Sequence, residues 1–284
     1  MSGDIGLFGP DSVTWKLHRE PILMLGGLRS LYLQALHPRA VAGISQNSGY
    51  RADPWGRLLR TSNYVGTVIY GSTDEVELAA SRLRRLHAGM SAVDPATGER
   101  FRIDEPDLLR WVHVAEVESF LTTAVRAGVR LTADEVDGYY TEQLRSAELV
   151  GLDPATVPST AAEVAAYFEA MRPELSLTRD SAETALFLTV PPVPEHWGGL
   201  PLRLGLSLGP ARWAYLGVAG TAIGLLPGWA RKIYGGLGWP TTDLAAALSV
   251  RGLRALIATV MATLPKQYQM APLRREAMER AGLT

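Results

Sequence analysis

The sequence predicts an all-α protein, a single large helical domain over residues 1–284. Three observations predict it. Apolar residues recur at the three-and-four spacing of a helix along most of the chain. Proline, glycine and hydroxyl–acid pairs punctuate that pattern where helices should start and stop. Strand–helix alternation is missing, which argues against a doubly wound sheet.

The elements follow in order. "SVTWKLHREPILMLGGLRSLYLQALHP" reads as helix, break, helix, with Pro21 and Gly26–Gly27 as interruptions and His37–Pro38 as the end. "PWGRLLRTSNYVGTVIYG" has helical spacing up to Gly71. "STDEVELAASRLRRLHAGM" opens on a cap at Ser72, Thr73 or Asp74, with acids in its first turn. Its apolar stripe is Val76, Ala79, Ala80, Leu83, Leu86 and Met90. Asp94 to Asp104 is turn-rich and suits a short hairpin. "EPDLLRWVHVAEVESFLTTAVRAG" takes proline in its first turn and stops at Gly128. "TADEVDGYYTEQLRSAELVG" carries a capping box in Thr132 and Glu135, and "STAAE" repeats the device before Glu163. "TVPPVPEHWGGLP" is a proline-rich loop, and the last third alternates apolar helices with Gly and Pro breaks.

Composition narrows the function. A net charge of −1 argues against a general nucleic-acid binder. The absence of cysteine removes disulfides, iron–sulfur clusters, cysteine zinc sites, thiolate-ligated haem and cysteine nucleophiles together. The first twenty residues carry acids and no basic-then-apolar leader pattern. The longest apolar run, Trp213 to Pro227, is short for a spanning helix. A buried core helix is the expected reading there, ahead of an interfacial one.

No HExxH, GxSxG, phosphate loop or carboxylate-rich metal pattern occurs, and Glu-x-x-His pairs are absent. Five histidines remain: His18, His37, His87, His113 and His196. His87 falls beside its helix's apolar stripe, and His113 shares a face with Leu109, Val117 and Phe120. Periodicity alone reads each as a hydrogen-bonded core histidine. Arg57, Arg60 and Thr61 share a helix face. That face is either a surface ion-pair face or a clamp for a carboxylate beside a hydroxyl.

Several segments in order resemble the superfamily of the latex-clearing protein (rubber oxygenase) and the fungal mycophenolate-pathway oxygenase, a mostly actinobacterial group. They are "LYLQALHPRAVAGISQNS", "RLLRTSNYVGTVIYG", "RLHAGMSAV", "DLLRWVHVAEVESF", "YYTEQLRSAELVGL" and "LLPGWARKIYGGLGW". The resemblance implies an all-helical fold enclosing a pocket for one b-type haem. It implies a proximal histidine ligand to iron, matched by His87 with His113 as the alternative, and a distal Arg-x-x-Lys-Thr group. Arg57 and Thr61 match that group's arginine and threonine. Where the group has lysine this chain has Arg60, whose guanidinium stays protonated and has no lone pair for iron. Arg60 is therefore expected to donate hydrogen bonds, and polyisoprene is not the expected substrate.

The resemblance thus implies a haem b-dependent oxygenase, with Arg57, Arg60 and Thr61 in the catalytic cavity. Its partners would be a small lipophilic substrate and dioxygen or peroxide, with no nucleic acid. The expected location is cytoplasmic, with peripheral membrane contact left open. Two rival readings stand beside it: a non-catalytic haem sensor or carrier, and a haem-less lipid-binding or interaction module.

Overall fold

The computed structural model describes residues 3–47, 53–193, 206–236 and 240–283. Helix dominates, and the sheet consists of one two-stranded ribbon, so the all-α expectation holds. Five helices fill the first third: α1 (Val13–His18), α2 (Leu23–Gln34), α3 (Pro38–Asn47), α4 (Pro54–Tyr70) and α5 (Thr73–Ala88). The ribbon follows as β1 (Ser91–Val93) and β2 (Arg100–Arg102), antiparallel, with Ala92 opposite Phe101. Then come α6 (Pro106–Arg126), α7 (Ala133–Leu149), α8 (Ala161–Met171) and α9 (Arg179–Thr189). Four more close the chain: α10 (Pro210–Gly224), α11 (Gly228–Ile233), α12 (Pro240–Thr263) and α13 (Pro272–Arg280).

The ends of these helices follow local chemistry. Ser72 and Glu75 form a reciprocal capping box on α5, and Thr132 and Glu135 form another on α7. Thr160 accepts from the Glu163 amide at the start of α8. Gly128 ends α6 with φ +97°, a left-handed conformation that glycine adopts without steric cost. His37–Pro38 starts α3 rather than ending a structure: the His37 ring accepts from the Ala40 amide at 3.4 Å.

Gly26 and Gly27 do not interrupt α2. They sit inside it, where α2 packs along α6. A Cβ on Gly26 would lie 3.1 Å from the Ser119 carbonyl oxygen and 3.2 Å from the Phe120 Cα. Glycine is used there for close backbone approach, not for flexibility. The α2–α6 pair anchors the main core, with Leu25, Tyr32 and Leu33 meeting Trp111, Ala115 and Leu121 in one buried cluster. Trp111 Nε1 donates to the Gln34 carbonyl at 3.1 Å. Arg29, 1% exposed, donates from Nε to the Leu225 carbonyl (2.9 Å). Its Nη1 reaches Glu118 (2.6 Å) and Ser119 Oγ (2.6 Å), and its Nη2 the second Glu118 oxygen (3.2 Å). A buried guanidinium is tolerable only with this degree of pairing.

Glu142 on α7 ties α1 down. It accepts from the Val13 and Thr14 amides and the Thr14 hydroxyl, at 3.0, 2.8 and 2.7 Å. An acid at a helix N-terminus is favourable on both hydrogen-bond and dipole grounds.

The C-terminal part differs from expectation. The run from Trp213 is helical as α10, buried through Ala219, Ala222 and Gly224, yet Trp213 itself is exposed. The longer apolar stretch is α12. Thr242–Thr263 has the length and composition to cross a membrane, and only 11% of that window is buried. The sequence hides it because Asp243, Arg251 and Arg254 interrupt the run. In the fold those charges turn toward the body: Asp243 meets Arg231 and Arg126, Arg251 donates to the Arg126 carbonyl, and Arg254 grips Glu20 at 2.8 and 2.9 Å. Leu244, Leu248, Leu256 and Val260 are left exposed. The arginines near the C-terminus are not all solvated either, because Arg280 donates to the Tyr70 and Asp4 carbonyls.

Candidate active site between α4, α5, α6 and α7

Helices α4 and α5 form a hairpin turning at Gly71–Ser72. Its closed end packs well: Val68, Ile69 and Tyr70 of α4 and Val76 and Ala80 of α5 are buried. Toward the open end burial stops. Leu58, Leu59, Arg60 and Thr61 of α4 are exposed, and so is Leu86, which the sequence pattern assigned to the apolar stripe of α5.

Each predicted site residue falls near this open end or on the α6 face behind it. Asp53 caps α4 through the Gly56 amide at 2.9 Å, and Arg60 folds back onto Asp53 at 3.2 Å while staying 69% exposed. Thr61 is exposed, and Arg57 is half-buried. Among the described residues no hydrogen bond joins Arg60 or Thr61 to His87 or His113. His87 is half-buried in the last turn of α5. Its Nδ1 is sealed from solvent without a partner among the described residues. Burial lowers its pKa, and Asp104 opposes that shift, so the ring is neutral at pH 7 with Asp104 as the nearest acting carboxylate. Asp104 is itself held by Arg102 at 2.8 and 2.6 Å. His196 lies outside the described residues.

His113 and Glu116 stand one turn apart on α6, where spacings of three meet. Protein surrounds both, yet both keep some accessible surface. Neither makes a hydrogen bond with a described residue. Burial alone pushes the His113 pKa down to about 4 and the Glu116 pKa up to about 7. Tyr64 on α4 and Tyr139 on α7 come close enough that the Glu116 charge raises both phenol pKa values, in addition to the larger effect of burial. Both hydroxyls are sealed and unpartnered. His18, at the end of α1, packs edge-on against Phe120 with ring centroids 4.9 Å apart. Its Nε2 is also orphaned, and burial takes its pKa down to about 4.

Sequence reasoning missed Tyr64, Glu116, Tyr139 and His18. A signal for Glu116 existed: His113-x-x-Glu116 is the reverse of the Glu-x-x-His order that was sought. The tyrosines carried none, because they approach from two other helices, and His18, on α1, was named in the sequence without a role. Among the described residues no cluster of three or more His, Asp or Glu side chains is arranged to hold a bare metal ion.

Residues 15–261 match the family model described as "ER-bound oxygenase mpaB/B'/Rubber oxygenase, catalytic domain". No curated protein and no solved structure matches the chain.

Proposed function

Because the chain belongs to the mpaB/rubber oxygenase family and is an oxygenase catalytic domain, we propose that it is a haem b-dependent oxygenase. Its substrate is a lipophilic small molecule and its oxidant is dioxygen or peroxide. Residues 1–284 act as one helical domain. The reading is supported by one observation above others, the state of His87: a half-buried imidazole that burial keeps neutral, with Nδ1 sealed and unpartnered among the described residues.

The donor set fits a haem. A neutral imidazole has the lone pair that iron needs, and a porphyrin iron asks for one axial protein ligand rather than a cluster. His87 would be that ligand, and His113 is the alternative. Arg57 and Arg60 would pair with propionate or substrate carboxylate, the anions that guanidinium binds best. Asp104 would favour a partly positive His87 ring through its charge. Haem would supply the oxidative chemistry, which no side chain here can perform unaided.

The chain's own contribution is positioning. Arg60 has no free lone pair and cannot stand in for a lysine ligand, so it would act as a hydrogen-bond donor. Thr61 and Arg57 would donate hydrogen bonds toward the reacting oxygen from that helix. Their loss should lower turnover more than haem content, since a positioned donor typically contributes about 2.7–4 kcal/mol. The inner face of α6 would exclude bulk water from the substrate.

The test is haem retention by single variants of the purified protein. His87→Ala should lose the Soret band or shift it strongly, and His18→Ala should keep it. Loss in His113→Ala alone would move the ligand to α6. Retention in all three would end the histidine-ligated reading.

A further inference from the structure

The inner face of α6 carries more unmet polar chemistry than an axial ligand requires. Glu116 has no hydrogen-bond partner among the described residues, although protein surrounds it. His113 is in the same condition one turn away. The hydroxyls of Tyr64 and Tyr139 approach from α4 and α7 and are likewise unpartnered. A buried polar group left unsatisfied costs about 1–3 kcal/mol. Two sealed hydroxyls on α4 and α7 lie within reach of the Glu116 charge on α6, with His113 one turn from it, so the unmet polar groups of three helices are gathered around one carboxyl. Among the described residues none supplies their partner, which leaves the cluster able to take a ligand.

The chemistry of that partner follows from charge. Burial is the sole cause acting on Glu116, and no arginine, lysine or backbone amide steadies its carboxylate. An anionic headgroup would meet a carboxyl that ionises near neutrality and find no cation facing it. An ammonium would leave water for a single carboxylate, an exchange that buried ion pairs seldom win. An uncharged oxygen avoids both costs. It accepts from the Glu116 acid or a tyrosine hydroxyl, and if it bears hydrogen it donates to whichever oxygen is free. The surroundings match the rest of such a molecule, because Val117 and Phe120 continue the same face of α6 into the apolar core.

We propose that His113, Glu116, Tyr64 and Tyr139 form the polar end of the substrate site, and that it takes an apolar molecule bearing one uncharged oxygen. An alcohol, a phenol or a ketone fits that description. The proposal rests on the oxygenase reading for its meaning, since the seated oxygen would orient the apolar remainder for oxidation. Glu116 is the discriminating residue. It selects among headgroups rather than holding the cofactor.

Binding to the full-length purified protein tests this, with octanol, octylamine and octanoate as probes of equal chain length, measured by calorimetry. Octanol should bind about tenfold or more tighter than either charged probe, the margin expected where a site is built to hydrogen-bond an oxygen. Glu116→Leu should lose most of that preference, while Glu116→Gln, which keeps a donor and an acceptor, should retain it. Thermal melts of both variants show whether they fold. Octylamine binding more tightly than octanol would make this a cation site and overturn the proposal. Equal octanol affinity in wild type and Glu116→Leu would mean that water alone satisfies the carboxyl, which overturns it too. The Soret band recorded on the same samples separates the two readings. Wild-type protein that holds haem but shows no preference for octanol sinks only this inference, and a preference in wild-type protein without haem sinks only the haem assignment.

Discussion

Two glutamates sit two residues apart on α6 and live in opposite worlds. Glu118 turns toward α2, where Arg29 holds it with two guanidinium nitrogens and Thr122 donates to it at 2.7 Å. Glu116 turns toward α4 and α7 and meets no hydrogen-bond partner among the described residues. Both are largely covered, both are acids, and both belong to one regular helix. The difference teaches that α6 is the wall between a structural half and a functional half. On the structural side the buried Arg29 guanidinium and the Glu118 carboxylate answer each other within the chain. On the functional side the answers are missing, which is what a site awaiting a ligand looks like.

The comparison breaks most sharply at Arg29. Arg29→Ala strands Glu118 and Ser119 inside the core and should destabilise by about 3–5 kcal/mol, the cost of uncoupling one partner of a buried pair. Chemical denaturation reads this as a lower midpoint, and a loss below about 1 kcal/mol would erase the contrast between the two faces.

Glu116 should respond in the opposite direction and only above a certain pH. Its pKa in the fold is raised to about 7, so the folded chain keeps a proton that the unfolded chain releases above about pH 4.5. Stability from this group is therefore lost as pH rises from about 4.5 to 7. Glu116→Gln should stabilise the protein at pH 8 by up to about 3 kcal/mol and change little at pH 4. His18 and His113 act with the reverse sign. Their lowered pKa values mean that the unfolded chain takes up protons first, so stability is lost as pH falls from about 6.5 to 4. A Glu116→Gln effect independent of pH would show that the carboxyl is not held neutral.

Gly26→Ala sharpens the structural side. The added Cβ meets backbone on α6 at 3.1–3.2 Å, so the helices must part, at a cost of about 1–3 kcal/mol. Gly27→Ala has room, its nearest neighbour being 3.9 Å away, and should be neutral or slightly stabilising. Thermal melts of the pair check the asymmetry. The smallest effect belongs to the exposed Arg60–Asp53 pair, where Arg60→Ala should cost no more than about 1 kcal/mol of stability. Any larger consequence of that change should appear in turnover instead.

Much of the fold was legible because helix signals are local. The boxes at Ser72–Glu75 and Thr132–Glu135, the proline opening α6 and the glycine closing it are each written within a few residues. Gly26 was misread because its role is a contact with Ser119 and Phe120, ninety residues away. The apolar face of α12 was missed because its three charges, spread along the segment, turn inward together only in the fold. The site follows the same rule. His87 and His113 were singled out by the family resemblance, since their helix patterns alone read each as a core histidine. Tyr64, Glu116 and Tyr139 become a cluster only when α4, α6 and α7 meet, and no spacing along the chain records that meeting.

Haem content tests the central claim most directly. A pyridine haemochrome assay on the protein, purified and reconstituted with haem b, should return one haem per chain, with a Soret band that His87→Ala weakens or shifts. A wild-type sample that stays colourless after reconstitution would contradict the account, and the open face of α6 would then have to serve an oxygenase of a different kind.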